Sequence, residues 1–514
     1  MLDRVLSPTT PCATHHPRTL AMAALSAAAL LSTLVAGEAR AQSYPIYTVT
    51  SLPAVSSVTA LNDSGLILGR GFVPCTGLCT QSDVPVLYDT LTGTLTPLGG
   101  GFGSGAQFDA INANGQLAGS TSTLDGTGAL VRNVVIRQPD GTITKLAAPT
   151  LSATQISGLR ARGFNKAGQI ALAHTDGLDT MMPMCGNYQA WIGTGATAAG
   201  WKPLGPAGTV MRPAAINASG VAVGAAVAAA TCSNAGGGTG GGFHATAAQP
   251  TGVLIDLHGT MPGSFSRANA INDLGYAVGD YDTGARTLPD AYNPQGMPIV
   301  HAAVWNTAAK AWFDISPAAS LSRLNAVNNR GEVVGSASGP ALPGQPYAYP
   351  PARAVLGNLA TTWAMVDLNT LLANNTGGWV LQDAVAINTR GQIVARGTSA
   401  AGSGYVLLTP ATVPADPYAT VPAAPASLAA SQLTAKSALL TWTNTARNAT
   451  RLVVERCKGN TCTSFAPVAT LPSDTASYSN TALASRTTYR WRVRAGNAKG
   501  LSAASNSVTA TTLS

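Results

Sequence analysis

Charge is scarce in this chain. Only 10% of its 514 residues are Asp, Glu, Lys or Arg, and glutamate occurs three times, at Glu38, Glu332 and Glu455. The net charge of +8 is spread thinly, with no Lys/Arg block and no basic helix. The electrostatic footprint of a nucleic-acid binder is therefore missing. Beyond one N-terminal apolar stretch, no run is long enough to cross a bilayer, so no stable membrane insertion is expected. The six His are scattered and no Gly-x-Ser-x-Gly elbow occurs, so nothing points to a nucleophile–base pair. Cys75-x-x-x-Cys79 lacks a second Cys or His pair at useful spacing. The glycine run at 236–242 lacks the strand-to-helix context of a nucleotide site. No metal and no cofactor are expected.

What is present begins with a leader. Residues 1–41 read as a signal peptide: Arg4, His15, His16 and Arg18 precede an apolar stretch from Leu20 to Ala36, and Ala39-Arg40-Ala41 offers a small-x-small cleavage site. An N-terminal membrane anchor is the alternative, but the run is Ala-rich and, at about 17 residues, at the short limit for spanning. Export to the periplasm or medium, or to the cell surface, puts the remaining six Cys in an oxidising compartment. Cys75/Cys79 and Cys457/Cys462 are close enough to clip their own loops, which leaves Cys185 and Cys232 for each other.

One phrase recurs seven times: a small residue, an apolar residue, Asn, two variable residues, Gly. The Asn residues are Asn62, Asn112, Asn165, Asn217, Asn272, Asn328 and Asn388, and each is followed three positions later by Gly. Their spacing is 50, 53, 52, 55, 56 and 60 residues, the signature of a repeat architecture. Asn-x-x-Gly has the chemistry of a tight turn, and alternating strands flank it. A third strand follows (His301 to Trp305, for example), then a fourth ending near an acidic residue, as at Asp256, Asp314 and Asp367. Four strands per repeat make a propeller blade. The missing fourth strand of the last repeat is supplied by Tyr47 to Leu52 at the start of the chain, which would close the ring.

The phrase Ala-Ile-Asn-x-x-Gly-x-Val-x-Gly, with a His-Ala-x-x-Trp-like strand and an Asp-Leu ending, resembles the bacterial extracellular HAF-repeat family over residues 45–410. That resemblance implies export and repetition and carries no assigned chemistry. Leu172 and Ala395 depart from it by replacing the second Gly. A Pro/Ala/Thr-rich linker at 411–425 follows. Residues 426–514 resemble a fibronectin type III domain. Trp442 lies in one strand, and Leu483 precedes Tyr489 in the arrangement of a tyrosine corner. The expected fold is all-β: a seven-bladed β-propeller of four-stranded antiparallel blades, then a fibronectin type III-like β-sandwich.

The longer loops after the second and fourth strands are expected to carry function. They hold Tyr281, Tyr292, Tyr347 and Tyr349, whose rings would stack on sugars, with Asp280 and Asp282 beside them. Recognition of a surface glycan, extracellular polymer or surface protein, without catalysis, follows from this reading. The competing expectation is a secreted polysaccharide hydrolase or lyase using loop Asp residues, since Glu332 and Glu455 are badly placed for a carboxylate pair.

Overall fold

The computed structural model describes residues 44–514, except 75–80, 99–106, 125–129, 150–158, 175–188, 207–208, 229–243, 249–252, 288–295, 317–320, 340–349, 361–363, 414, 445, 447, 474 and 498. The expected leader, Cys75, Cys79, Cys185, Cys232, Tyr292, Tyr347 and Tyr349 lie outside the described residues. The chain is all-β, with no α-helix among the described residues.

The described residues of 45–410 form seven sheets in succession, antiparallel except for one short parallel pairing in the seventh. The first contains Val55–Leu61, Leu66–Pro74, Gln81–Asp89 and Thr94–Pro97, paired in chain order, and the next five repeat this meander. The seventh departs from the expected four-stranded antiparallel blade by taking in a fifth strand, Leu372–Ala373, in a parallel pairing with Tyr47–Ser51. Its other strands are Val380–Ile387, Ile393–Ser399 and Gly402–Pro410, followed by Tyr47–Ser51 from the other end of the chain. That strand pairs antiparallel with Gly402–Pro410 from Tyr47↔Pro410 to Ser51↔Val406.

Each repeated Asn does three jobs at its hairpin. Its carbonyl accepts from the N–H of the Gly three residues on, as Asn272 does from Gly275 at 3.1 Å. That Gly holds a positive φ in every repeat, from 75° at Gly331 to 89° at Gly65, a conformation that disfavours any side chain. The Asn side-chain oxygen accepts the N–H four residues on, as in Tyr276 N to Asn272 Oδ1 at 3.0 Å. The side-chain nitrogen then leaves the hairpin and donates to the backbone carbonyl of the next repeat's Asn. The series runs Asn62, Asn112, Asn165, Asn217, Asn272, Asn328, Asn388 and returns to Asn62, with distances of 2.8 to 3.3 Å. All seven Asn are buried, so each bond is shielded from water.

Every first strand carries a β-bulge three residues before its Asn, at Thr59, Asp109, Arg162, Ala214, Asn269, Asn325 and Val385. The second repeated Gly lies opposite this irregularity. A Cβ on Gly279 would sit 1.9 Å from the Arg267 carbonyl oxygen, and one on Gly335 would sit 2.0 Å from that of Arg323. The glycine is there because backbone occupies its side-chain space. Gly279→Ala is expected to destabilise the chain by about 2 kcal/mol in denaturant unfolding. Ala395→Gly, at the equivalent position of the seventh repeat, should change stability by less than about 1 kcal/mol.

The seven first strands line one central cavity of about 590 Å³, each contributing the residues just before its Asn. Small residues at the second position before Asn allow the close approach. A Cβ on Gly163 would lie 2.9 Å from Ile216 Cγ2 of the next repeat. Between neighbouring sheets the core is apolar, with Trp305, Tyr281 and Leu257 in one such cluster and Trp191, Trp201 and Phe164 in another.

The structure revises the boundary between strand and loop. The second strand of the fifth repeat spans Tyr276–Arg286 and the third Pro298–Asn306, paired as far as Arg286↔Pro298. Asp280, Tyr281 and Asp282, expected on a loop, stand inside this ladder. Their polar–aromatic–polar pattern is strand alternation, with turn-like composition masking it.

The 411–425 linker contains a 3₁₀ turn at Pro417–Ala419 capped by Asp416. Tyr418 is buried, and a Cβ on Gly331 would come within 3.2 Å of its hydroxyl. Asn448 donates to the Pro417 and Thr420 carbonyls, and Asn497 to Thr420, so side chains beyond the segment tie it down.

The C-terminal residues form two facing sheets. Ala426–Ser431, Ala438–Thr443 and Ser477–Asn480 make one, and Arg451–Lys458, Ala466–Pro472, Thr488–Asn497, Gly500–Leu501 and Val508–Thr511 the other. Trp442, Leu483, Tyr489 and Trp491 fill the space between them. The Tyr489 hydroxyl accepts the N–H of Ala484 at 3.1 Å, completing the tyrosine corner. Cys457 and Cys462 form a disulfide across a five-residue separation. Because the loop is short, replacing both by Ser should cost about 2 kcal/mol, read from thermal unfolding of this part of the chain.

Candidate functional site

Aligned on the repeated Asn, the first strands place arginine five residues upstream in four successive repeats: Arg160, Arg212, Arg267 and Arg323. Arg162 adds another at a bulge position. Arg162, Arg212 and Arg267 line a second cavity of about 510 Å³, with Asp109, Thr59 and Asn269 beside them. It shares Thr59, Asp109, Arg162, Ala214 and Asn269 with the central cavity, so the two are continuous along the first strands.

Buried carboxylates hold two of these arginines. Arg267 Nη2 donates to Asp280 Oδ2 at 2.7 Å, and Asn269 Nδ2 donates to Asp280 Oδ1 at 3.3 Å. Arg323 Nη2 donates to Asp383 Oδ2 at 2.7 Å, and Asn325 Nδ2 to Asp383 Oδ1 at 2.7 Å. The carboxylate side chains are almost enclosed, whereas about half of each arginine side chain meets solvent (53% for Arg267, 50% for Arg323). Asp280 therefore anchors a cation, where sequence reasoning placed it as a ligand contact. The arginine ladder was visible in the sequence only after alignment on Asn.

Asp282 is fully buried and equally committed. It accepts from Ser264 N–H, the Ser264 hydroxyl, Gly284 N–H and the Arg286 guanidinium, the last at 2.7 Å. Burial would raise its pKa, but the Arg286 hydrogen bond and the two backbone N–H groups outweigh that and hold it at about 2. A carboxylate in this state is a poor general acid or base near neutral pH.

Tyr281 is buried, so its ring offers no stacking surface. It meets Trp312 edge-on at 5.2 Å and His301 at 6.1 Å, and its hydroxyl donates to Asp314 Oδ2 at 2.9 Å. Burial first, then the Asp314 hydrogen bond and charge, push the phenol pKa upward. His301 Nδ1 lies 2.8 Å from the same Asp314 oxygen. Asp314 would be raised by burial, yet His301, the Ser316 N–H and Tyr281 lower it. The His of the third strand and the Asp of the fourth thus form a strand-end clasp. Asp256, Asp314 and Asp367 each also accept the N–H two residues on, a local turn bond. His258 lies 2.8 Å from Ser266 Oγ, but both are buried, so this Ser–His pair is closed to a substrate.

Glu332 is buried against Arg330 at 2.8 Å and Glu455 pairs with Arg492. Among the described residues no group of three or more His, Cys, Asp or Glu is placed to hold a metal, and no helix is long and apolar enough to cross a membrane.

The topology beyond residue 425, with its tyrosine corner, has a counterpart among known families. Residues 423–511 match the model of the fibronectin type III domain. Solved structures similar to this chain include a fibronectin type III domain of human collagen XX, at 28% identity, with 18% of this chain and 91% of that one covered and a TM-score of 0.16. A redesigned β-sandwich protein is also 28% identical, covering 18% and 94% with a TM-score of 0.16. A structure of titin kinase and its flanking domains is 30% identical, covering 18% of each chain with a TM-score of 0.17. No curated protein matches the chain. The arginine-lined cavity lies outside the residues matched to the fibronectin type III model.

Proposed function

We propose that the chain is an exported, non-catalytic binding protein. Its seven sheets would form a closed seven-bladed β-propeller of the HAF-repeat kind, carrying a fibronectin type III domain as a protein-interaction module. The observation that carries this reading is the hydrogen-bond series through the seven Asn, which returns from Asn388 to Asn62 and surrounds one cavity. A rigid ring with a concave centre suits presentation of a binding site more than turnover, and Asp280 and Asp383 beside its first strands are tied to arginines. The leader motif and the Cys457–Cys462 disulfide favour the extracytoplasmic side. The ligand class is a surface glycan, an extracellular polymer or a surface protein.

The test is retention of the purified chain on immobilised polysaccharides and a glycan array, with reducing ends assayed in the eluate. Specific retention without sugar release is expected. Release of reducing ends would overturn the non-catalytic reading. Absence of retention on every polymer would remove glycans and polysaccharides from the ligand class.

A further inference from the structure

The second cavity has a sign. Its charged lining residues are Arg162, Arg212 and Arg267 against Asp109, and Asp280, sunk behind Arg267, offsets that arginine, so the excess positive charge lies with Arg162 and Arg212. A guanidinium has five N–H donors in a planar fork. The bond from Asp280 fixes the orientation of Arg267 while half of the side chain stays open. This is how a protein pre-orders a cation for an incoming anion, and Arg suits a carboxylate through two parallel hydrogen bonds. The arginines are stacked round one cavity and not spread over a face, so a compact anion fits better than a long helical polyanion. Thr59 supplies a hydroxyl on the same lining and Asn269 its side-chain carbonyl oxygen, the Asn269 nitrogen being given to Asp280 and the Leu324 carbonyl, and both oxygens are complementary to sugar hydroxyls. At about 510 Å³ the cavity has the size of a small-molecule site.

We infer that this cavity binds the carboxylate of an acidic sugar unit, a uronate, with Arg212 and Arg162 contacting the anion beside the Asp280-held Arg267. The inference rests on the binding reading above and names the ligand class of that protein.

The experiment is calorimetric titration of the full chain with digalacturonate, with a neutral disaccharide and with inorganic phosphate. Digalacturonate should bind and the neutral sugar should not. Raising salt from about 50 mM to about 500 mM should weaken that binding severalfold. Arg212→Gln should weaken it by about tenfold or more while leaving the circular dichroism spectrum and melting temperature unchanged. Arg162→Gln serves as the second variant if Arg212→Gln fails to fold. Equal binding of acidic and neutral sugars would overturn the inference. So would phosphate binding as tightly as digalacturonate, or unchanged affinity in a folded variant. Retention on a neutral polymer, with no uronate binding, would sink this inference alone and leave the binding reading standing.

Discussion

Asn272→Ala is expected to destabilise the chain by about 2–5 kcal/mol in denaturant unfolding. The substitution deletes two buried interactions at once. Asn272 Nδ2 donates to the Asn328 carbonyl at 3.0 Å, and Asn272 Oδ1 accepts from Tyr276 N–H at 3.0 Å. Alanine strands the buried Tyr276 N–H, a loss of about 1–3 kcal/mol, and leaves the Asn328 carbonyl with its bond from Gly331 N–H alone. Asn272→Asp separates the contributions: it keeps an acceptor for Tyr276 but sets an oxygen against the Asn328 carbonyl. Asn388→Ala adds a test of the circuit itself. Its bond to the Asn62 carbonyl joins the last repeat to the first. In a closed ring its loss should cost as much as the loss of Asn272. In an open array a terminal repeat would unfold separately and leave the rest intact. A variant within about 0.5 kcal/mol of the parent would show that the Asn series carries little of the stability.

These Asn residues were legible in the sequence because the constraint repeats. A turn that needs both a side-chain acceptor and a positive-φ glycine admits few residues, so the same pair recurs seven times. The second Gly was visible as a pattern, but its cause was not. Only the backbone positions show the Arg267 or Arg323 carbonyl filling the place of its Cβ. The tyrosine corner and the closeness of Cys457 to Cys462 were readable because both are short-range.

The site was less legible, for a physical reason. Asp280, Tyr281 and Asp282 follow the Val278-Gly279 strand pattern and precede Gly284, so composition alone suggested a loop. In the structure the ladder runs on to Arg286, and the three side chains take strand positions with fixed partners. An exposed tyrosine and a buried one look alike in sequence. The difference lies in Trp312 and Asp314, more than thirty residues away. Arg160, Arg212, Arg267 and Arg323 fail to stand out for the opposite reason. They are more than fifty residues apart in the chain, and the fold brings Arg212 and Arg267 of the four together with Arg162 on the lining of one cavity.

Asp282 offers the second large effect, and its sign is determined by the environment of its carboxylate. Its folded pKa is about 2, below the ordinary 3.8, so the ionised form favours the folded state. The stabilisation is fully present above about pH 4 and is lost as pH falls through about 2. A shift of that size corresponds to about 2 kcal/mol. Acid titration of the parent should therefore show stability falling across that window, while Asp282→Asn should be flatter there. Asp282→Ala at neutral pH should cost more, about 3 kcal/mol, because it strands the N–H groups of Ser264 and Gly284 and the Arg286 guanidinium together. Identical acid profiles for the parent and Asp282→Asn would mean that the charge is not what holds the Tyr276–Arg286 strand to the turn at Ser264. The same contacts explain why Asp282 is structural. A group that must stay ionised to keep its strand in place cannot also take up a proton for a substrate.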